Sequence, residues 1–305
     1  MTTQEDKVVA LRRVEKLDTP PNGRNLMLRA ALGALPIPGL NRRGGGLPLK
    51  TLELTGVKVD SENLAAYTRV CGLRFSDTLP LTYPFTLVTP LTLKLMVDKS
   101  FPYPAVGLVH AENVIERFRP ISMSEPLDIR VHAENSREHA KGMLFDIVSE
   151  VSVGRELVWR NVATILHQQR TSLSGGPKPE PKPEEVPPPP QKALKVGQPT
   201  ISKYAAVSGD RNPIHTSTLG AKALGFPATI AHGAWEMATI LQLVEGRIPD
   251  KATYEVKFGK PVLLPATLNL YAAQADGPTA GPVTWDLSIK HPKKGYPHLT
   301  GTLTG

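Results

Sequence analysis

The chain has 305 residues, of which 40% are hydrophobic and 21% charged, so it can form about two packed domains and is not disordered as a whole. No run offers about 18 consecutive apolar residues, which excludes an ordinary membrane-spanning helix, and the apolar run at 26–35 is broken by Arg29 and Gly33 and starts too far in for a secretory signal. The single cysteine, Cys71, excludes an internal disulfide framework and a cysteine zinc cage, so a reducing cytoplasmic location is expected.

The net charge of +8 is uneven. Residues 1–50 carry nine Lys/Arg against four Asp/Glu; residues 51–170 carry thirteen against fourteen; residues 171–305 carry fourteen against ten. A basic excess suits nucleic acid, a phosphorylated substrate, an acidic carrier protein or a plain solvated surface. Aromatics are only 6% and no basic stripe is interleaved with them, which argues against nucleic acid.

In chain order, a basic segment (1–50) precedes a first unit (51–174), a linker (175–191) and a second unit (192–305). In the linker, eight of the residues Pro177–Pro190 are proline, which favours a stiff polyproline II spacer. The two units resemble each other. Tyr67–Gly72 matches Tyr204–Gly209, Tyr83–Pro90 matches Phe226–Gly233 without a gap, and Glu116–Ile121 matches Val256–Val262 with one insertion. Each unit reads as a short helix (61–70 and 202–207), a longer apolar helix, and then strands. The second long helix is expected from about His232 to Glu245, stopped by Gly246. Strands are expected at 127–133, 144–153 and 157–167 in the first unit, and at 253–258, 266–272, 283–289 and 299–304 in the second. A helix followed by an antiparallel meander is an α+β pattern in which the helix covers the sheet.

The densest polar cluster is Ser208–His215, SGDRNPIH, read as a loop because Gly209 and Pro213 interrupt regular structure. A tight turn can bring Asp210 to His215 as an acid/base pair; the plainer reading is an Asx-type turn built on Asn212. Downstream, Gly233 opens the long helix. Its N–H could serve a thioester carbonyl as an oxyanion donor, or the glycine could be needed only for close packing. His110, His132, His139 and His167 lack metal-ligand spacing and read as core or surface histidines; no metal site is expected.

Together, SGDRNPIH and the GFPATIAHG of 225–233 resemble the signature of the MaoC-like, or R-specific enoyl-CoA hydratase, family. The whole arrangement, including the HQQRTSLS of 167–174 and the proline linker, is similar to actinobacterial double-hotdog 3-hydroxyacyl-thioester dehydratases. The resemblance implies a double hotdog, each lobe a long helix wrapped by an antiparallel sheet, forming an intramolecular pseudo-dimer. It implies a hydro-lyase of fatty-acid metabolism that interconverts (3R)-3-hydroxyacyl and trans-2-enoyl thioesters. Asp210 and His215 would be catalytic, Asn212 would support the loop, and Gly233 would form the oxyanion hole. No cofactor is implied beyond the CoA or phosphopantetheine that carries the substrate, on CoA or acyl carrier protein, and Lys222 and Lys260 could meet its phosphates. The rival readings are a hotdog thioesterase using Glu236, or a non-catalytic acyl-thioester binding protein. The first unit departs from the pattern: Leu73 stands in place of Asp210, and Thr89 and Pro90 in place of His232 and Gly233. It is expected to be non-catalytic and to accommodate the acyl chain.

Overall fold

The structure, a computed structural model, describes residues 12–23, 25, 26, 30, 45–176, 188–275 and 283–305. Most of the basic 1–50 segment and most of the proline linker lie outside the described residues.

Two helices of the first unit are set by their ends. Helix α1 (Ser61–Cys71) starts at Asp60, whose side chain accepts from the N–H groups of Glu62 and Asn63, and stops at Gly72 with φ 73°. Helix α2 (Pro84–Met96) opens on a proline, which needs no donor at that position, and carries Pro90 in its interior. In the second unit, α3 (Gln198–Ser208) stops at Gly209 with φ 76°. A one-turn helix α4 (Pro213–Thr216) and a short α5 (Thr218–Ala223) follow. The segment expected as a loop is thus partly helical, because Asn212 caps the Ile214 N–H and Pro213 takes the first helical position. Helix α6 (Gly233–Ile240) passes into a 3₁₀ turn (Leu241–Leu243) before Gly246, so the α-helical part is shorter than the sequence suggests.

The strands β1 (Arg13–Leu17), β2 (Lys50–Val57), β3 (Val109–Arg117), β4 (Leu127–His139), β5 (Gly142–Val153) and β6 (Glu156–Gln168) belong to the first half. Strands β7 (Lys192–Val196), β8 (Ala252–Phe258), β9 (Ala266–Gln274), β10 (Thr284–Lys290) and β11 (Pro297–Thr304) belong to the second. All eleven form one sheet in the order β1-β2-β4-β5-β6-β3-β8-β11-β10-β9-β7. With β1 set aside and the five strands of each half numbered in chain order, each half has the order first, third, fourth, fifth, second. The halves join antiparallel through β3 and β8, with Ile115 opposite Tyr254, both fully buried. Strand β1 lies parallel to β2 at one edge, a strand the sequence pattern does not reveal.

The helices cover one face of this sheet. At the junction α1 packs on α3, bringing Tyr67 within 6.2 Å of Tyr204, ring centre to ring centre. Bonds across the lobes fix the junction: Trp235 Nε1 donates to Val70 O, Asn63 Nδ2 to Val207 O, and Arg117 to the carbonyls of Pro249 and Asp250.

Backbone hydrogen bonds correct one part of the match between the halves. Leu79 N–H donates to Ile121 O as Ala231 N–H donates to Val262 O, and Tyr83 N–H to Pro80 O as Trp235 N–H to His232 O. Pro80 and Leu81 therefore occupy the places of His232 and Gly233. Thr89 and Pro90 do not: they lie within α2. The ungapped match failed because Tyr-Pro and Phe-Pro fall at different depths of the two structures. Leu73, following the Gly72 cap as Asp210 follows the Gly209 cap, keeps its assigned place.

Candidate active site

The loop after α3 places the first acidic group. Asp210 Oδ1 accepts from Asn212 N–H at 3.1 Å, and Asn212 Oδ1 in turn accepts from Ile214 N–H at 3.3 Å. These two Asx-type bonds turn the chain so that His215 on α4 comes back beside Asp210. The Asp210 side chain keeps 40% exposure, within reach of solvent though enclosed by protein. His215 is buried; its Nδ1 lies 2.9 Å from Ile230 O. A neutral imidazole facing a carbonyl carries its proton on that nitrogen, so Nε2 is left as an acceptor.

His232, which caps α6, completes the cluster. Its ring stacks on His215 with centres 3.7 Å apart, its Nε2 lies 3.0 Å from Asp210 O, and its Nδ1 is buried without a partner among the described residues. Asp210, His215 and His232 each bring one polar atom within 4.8 Å of the others. From the sequence, His232 marks the helix start and is among the residues the first unit lacks; the structure brings its ring into the centre itself.

The electrostatics divide the roles. Burial alone would raise the Asp210 carboxyl, but His232, His215 and the Asn212 N–H outweigh it and hold its pKa below the usual value. Burial lowers His215 below its usual value against the pull of Asp210 and the Ile230 carbonyl. Burial, with His215 beside it, brings His232 down to about 3. At neutral pH the centre thus holds an ionised carboxylate and uncharged imidazoles.

Gly233 is the first residue of α6, and its N–H meets no described acceptor. A Cβ there would come within 2.9 Å of Phe258 Cε1, so the glycine also allows close packing. Lys260 Nζ sits 4.2 Å above the Tyr296 ring, and Lys222 lies in the last turn of α5.

The first lobe offers no equivalent chemistry. Only four residues separate Gly72 from Asp77, where the second lobe fits α4 and α5 between Gly209 and Thr229. A groove of about 370 Å³ remains at that place, lined in part by Leu73, Pro80, Leu81 and Arg117, with Glu245 and Asp250 from the other lobe.

Glu236, one turn into α6, is buried, and its Oε2 has no described partner. Burial pushes its carboxyl well above the usual range, which favours the protonated form in the fold. The unfolded chain ionises this group above about pH 4.5. Its contribution is therefore favourable below that pH and is lost as the pH rises toward neutrality. Glu236→Gln, uncharged throughout, should be more stable than the parent at pH 7, with the difference vanishing near pH 4. Urea midpoints at the two pH values measure this; equal differences at both would contradict the protonated state.

One continuous sheet covered by helices, with one cluster of Asp and His side chains among the described residues, defines a double-hotdog protein. A family model described as "MaoC like domain" matches residues 180–280. The chain is 47% identical to the Mycobacterium tuberculosis protein named 3-hydroxyacyl-thioester dehydratase X, over 94% of this chain and 99% of that one. A crystal structure of M. tuberculosis HtdX superposes with a TM-score of 0.74 at 48% identity, covering 83% of this chain and 99% of that one. A MaoC-like dehydratase from Phytophthora capsici shares the fold, with a TM-score of 0.64 at 19% identity over 85% and 95% of the two chains. The chain belongs to the MaoC-like 3-hydroxyacyl-thioester dehydratase family. Among the described residues no helix is long and apolar enough to cross a membrane.

Proposed function

We propose that this chain is a hydro-lyase that interconverts (3R)-3-hydroxyacyl thioesters and trans-2-enoyl thioesters, carried on CoA or on acyl carrier protein. The observation that carries the reading is the convergence of ionised Asp210 and the free Nε2 of His215 beside the open start of α6. Dehydration breaks the C2–H and C3–O bonds, forms the C2=C3 bond and releases water. The α-proton is weakly acidic, so its removal needs a base and a stabilised thioester oxygen. Asp210 and His215 would share the two proton movements, at C2 and at the departing 3-hydroxyl. Gly233 N–H would donate to the thioester oxygen as negative charge develops there. Asn212 would hold the loop rather than react.

A thioesterase would need an ionised carboxylate on the main helix to activate water. Glu236, the acid near that helix start, is buried and its carboxyl is pushed toward the protonated form, which disfavours that reading. The first lobe, free of reacting groups, would shape the acyl pocket. We place the enzyme in the cytoplasm, where its one buried thiol, Cys71, would stay reduced.

The test is direct. Purified protein is mixed with crotonyl-CoA and with a longer enoyl-CoA, and the enoyl absorbance is followed. Loss of absorbance with formation of the (3R)-hydroxy product is expected. Release of free CoA without hydration would favour the thioesterase.

A further inference from the structure

The non-catalytic lobe contains a buried polar chain with no evident role in its own core. Asn113 on β3 and Asn161 on β6 are 0% and 1% exposed. Asn113 Nδ2 donates to Asn161 Oδ1 at 2.7 Å, which leaves Asn113 Oδ1 as an acceptor. That oxygen lies 3.2 Å from His110 Nε2, so the chain fixes the proton of His110 on Nε2 and the direction of its ring. Buried amides are costly unless satisfied, and a satisfied network rigidifies what it ends on.

The backbone aims this ring. In the pairing of β3 with β6 the register shifts between His110 and Glu112, an irregularity that redirects side chains at strand ends. The ring stacks toward Phe85 of α2 at 6.0 Å and lies tilted against Phe258 of β8 at 4.7 Å. Phe258 is the residue that a Cβ on Gly233 would strike, so His110 is one aromatic ring away from the start of α6. His110 and Asp210 also lie within each other's electrostatic reach, each shifting the other's ionisation.

We infer that His110 is a positioning residue of the catalytic centre, delivered by the first lobe across the lobe junction to form a fixed wall, through Phe258, beside the start of α6. The inference rests on the reading of Asp210 as catalytic. It makes the first lobe a contributor to the site of the second, and gives the relay Asn161–Asn113–His110 a role in a lobe without chemistry of its own.

Three variants of the full chain test it: His110→Phe, which keeps the ring against Phe85 and Phe258, His110→Gln, whose amide can still donate to Asn113, and Asp210→Asn as a background. His110→Phe should lower kcat about ten- to a hundredfold, the cost of a misplaced reacting group, with KM changed less than about threefold. His110→Gln should recover part of the loss. Within Asp210→Asn, His110→Phe should change the residual rate less than about twofold, because the residue acts through the carboxylate. If His110→Phe does not fold, His110→Gln compared in the two backgrounds makes the same test. An unaffected kcat, an effect confined to KM, or an equal loss in both backgrounds would overturn the inference. Normal turnover by Asp210→Asn alone would instead overturn the reading of Asp210 beneath it.

Discussion

Asp210→Asn and His215→Ala should each reduce enoyl-thioester hydration about 10²–10⁴-fold, the usual cost of losing an acid/base group, while the protein remains folded. The fold should survive because neither change removes the local scaffold. In Asp210→Asn, the amide oxygen can still accept from Asn212 N–H, so the turn keeps its first bond. In His215→Ala, Ile230 N–H still donates to Ile214 O at 3.0 Å and Asn212 still caps α4. What is lost is chemistry: the ionised carboxylate that accepts from Asn212 N–H, or the Nε2 lone pair left open by the Nδ1–Ile230 bond. Steady-state hydration rates with far-ultraviolet circular dichroism on the same samples check this. Near-normal turnover by either variant would remove it from the mechanism.

Trp235→Ala should cost about 3–5 kcal/mol of stability, the range for emptying a buried aromatic site. Trp235 is fully enclosed on α6, two residues beyond Gly233, and its Nε1 donates to Val70 O of the opposite lobe at 3.1 Å. Truncation leaves both a cavity and an unpaired carbonyl at the end of α1. Its structural counterpart, Tyr83, makes the matching link through Asn63, which accepts from Tyr83 OH and donates to Val207 O. The two lobes thus hold each other through equivalent positions. Trp235→Phe, which retains the packing and drops the bond, should cost roughly 1–2 kcal/mol. Urea unfolding measures both. A loss below about 1 kcal/mol for the alanine variant would mean that the junction tolerates an open cavity there, contrary to the packing described.

The sequence disclosed what local chemistry determines. Gly72 and Gly209 ended their helices because each adopts a left-handed backbone conformation, and the strands expected from the sequence are present as β4–β6 and β8–β11, while β2 and β3 escape that reading. The SGDRNPIH segment carried Asp210, Asn212 and His215 in one turn. What remained hidden depends on contacts distant in sequence. Leu81 takes the place of Gly233 because Leu79 bonds to Ile121, and no residue type at 79–81 announces this. His110 looks like an ordinary strand residue in VHAENVIER; only the register shift beside it and its contact with the second lobe's Phe258 link it to the start of α6. Strands β1 and β7 are short edges, without a clear inward face to pattern their residues.

The central claim is that one chain holds one catalytic centre, built in the second lobe and completed across the junction. Isothermal titration of the full-length protein with a non-reactive enoyl-thioester analogue counts the sites directly. One site per chain is predicted, abolished as a catalytic site by Asp210→Asn and unchanged in number by Leu73→Asp, because the first lobe still lacks a histidine between Gly72 and Tyr83. Two equivalent catalytic sites per chain would contradict the account.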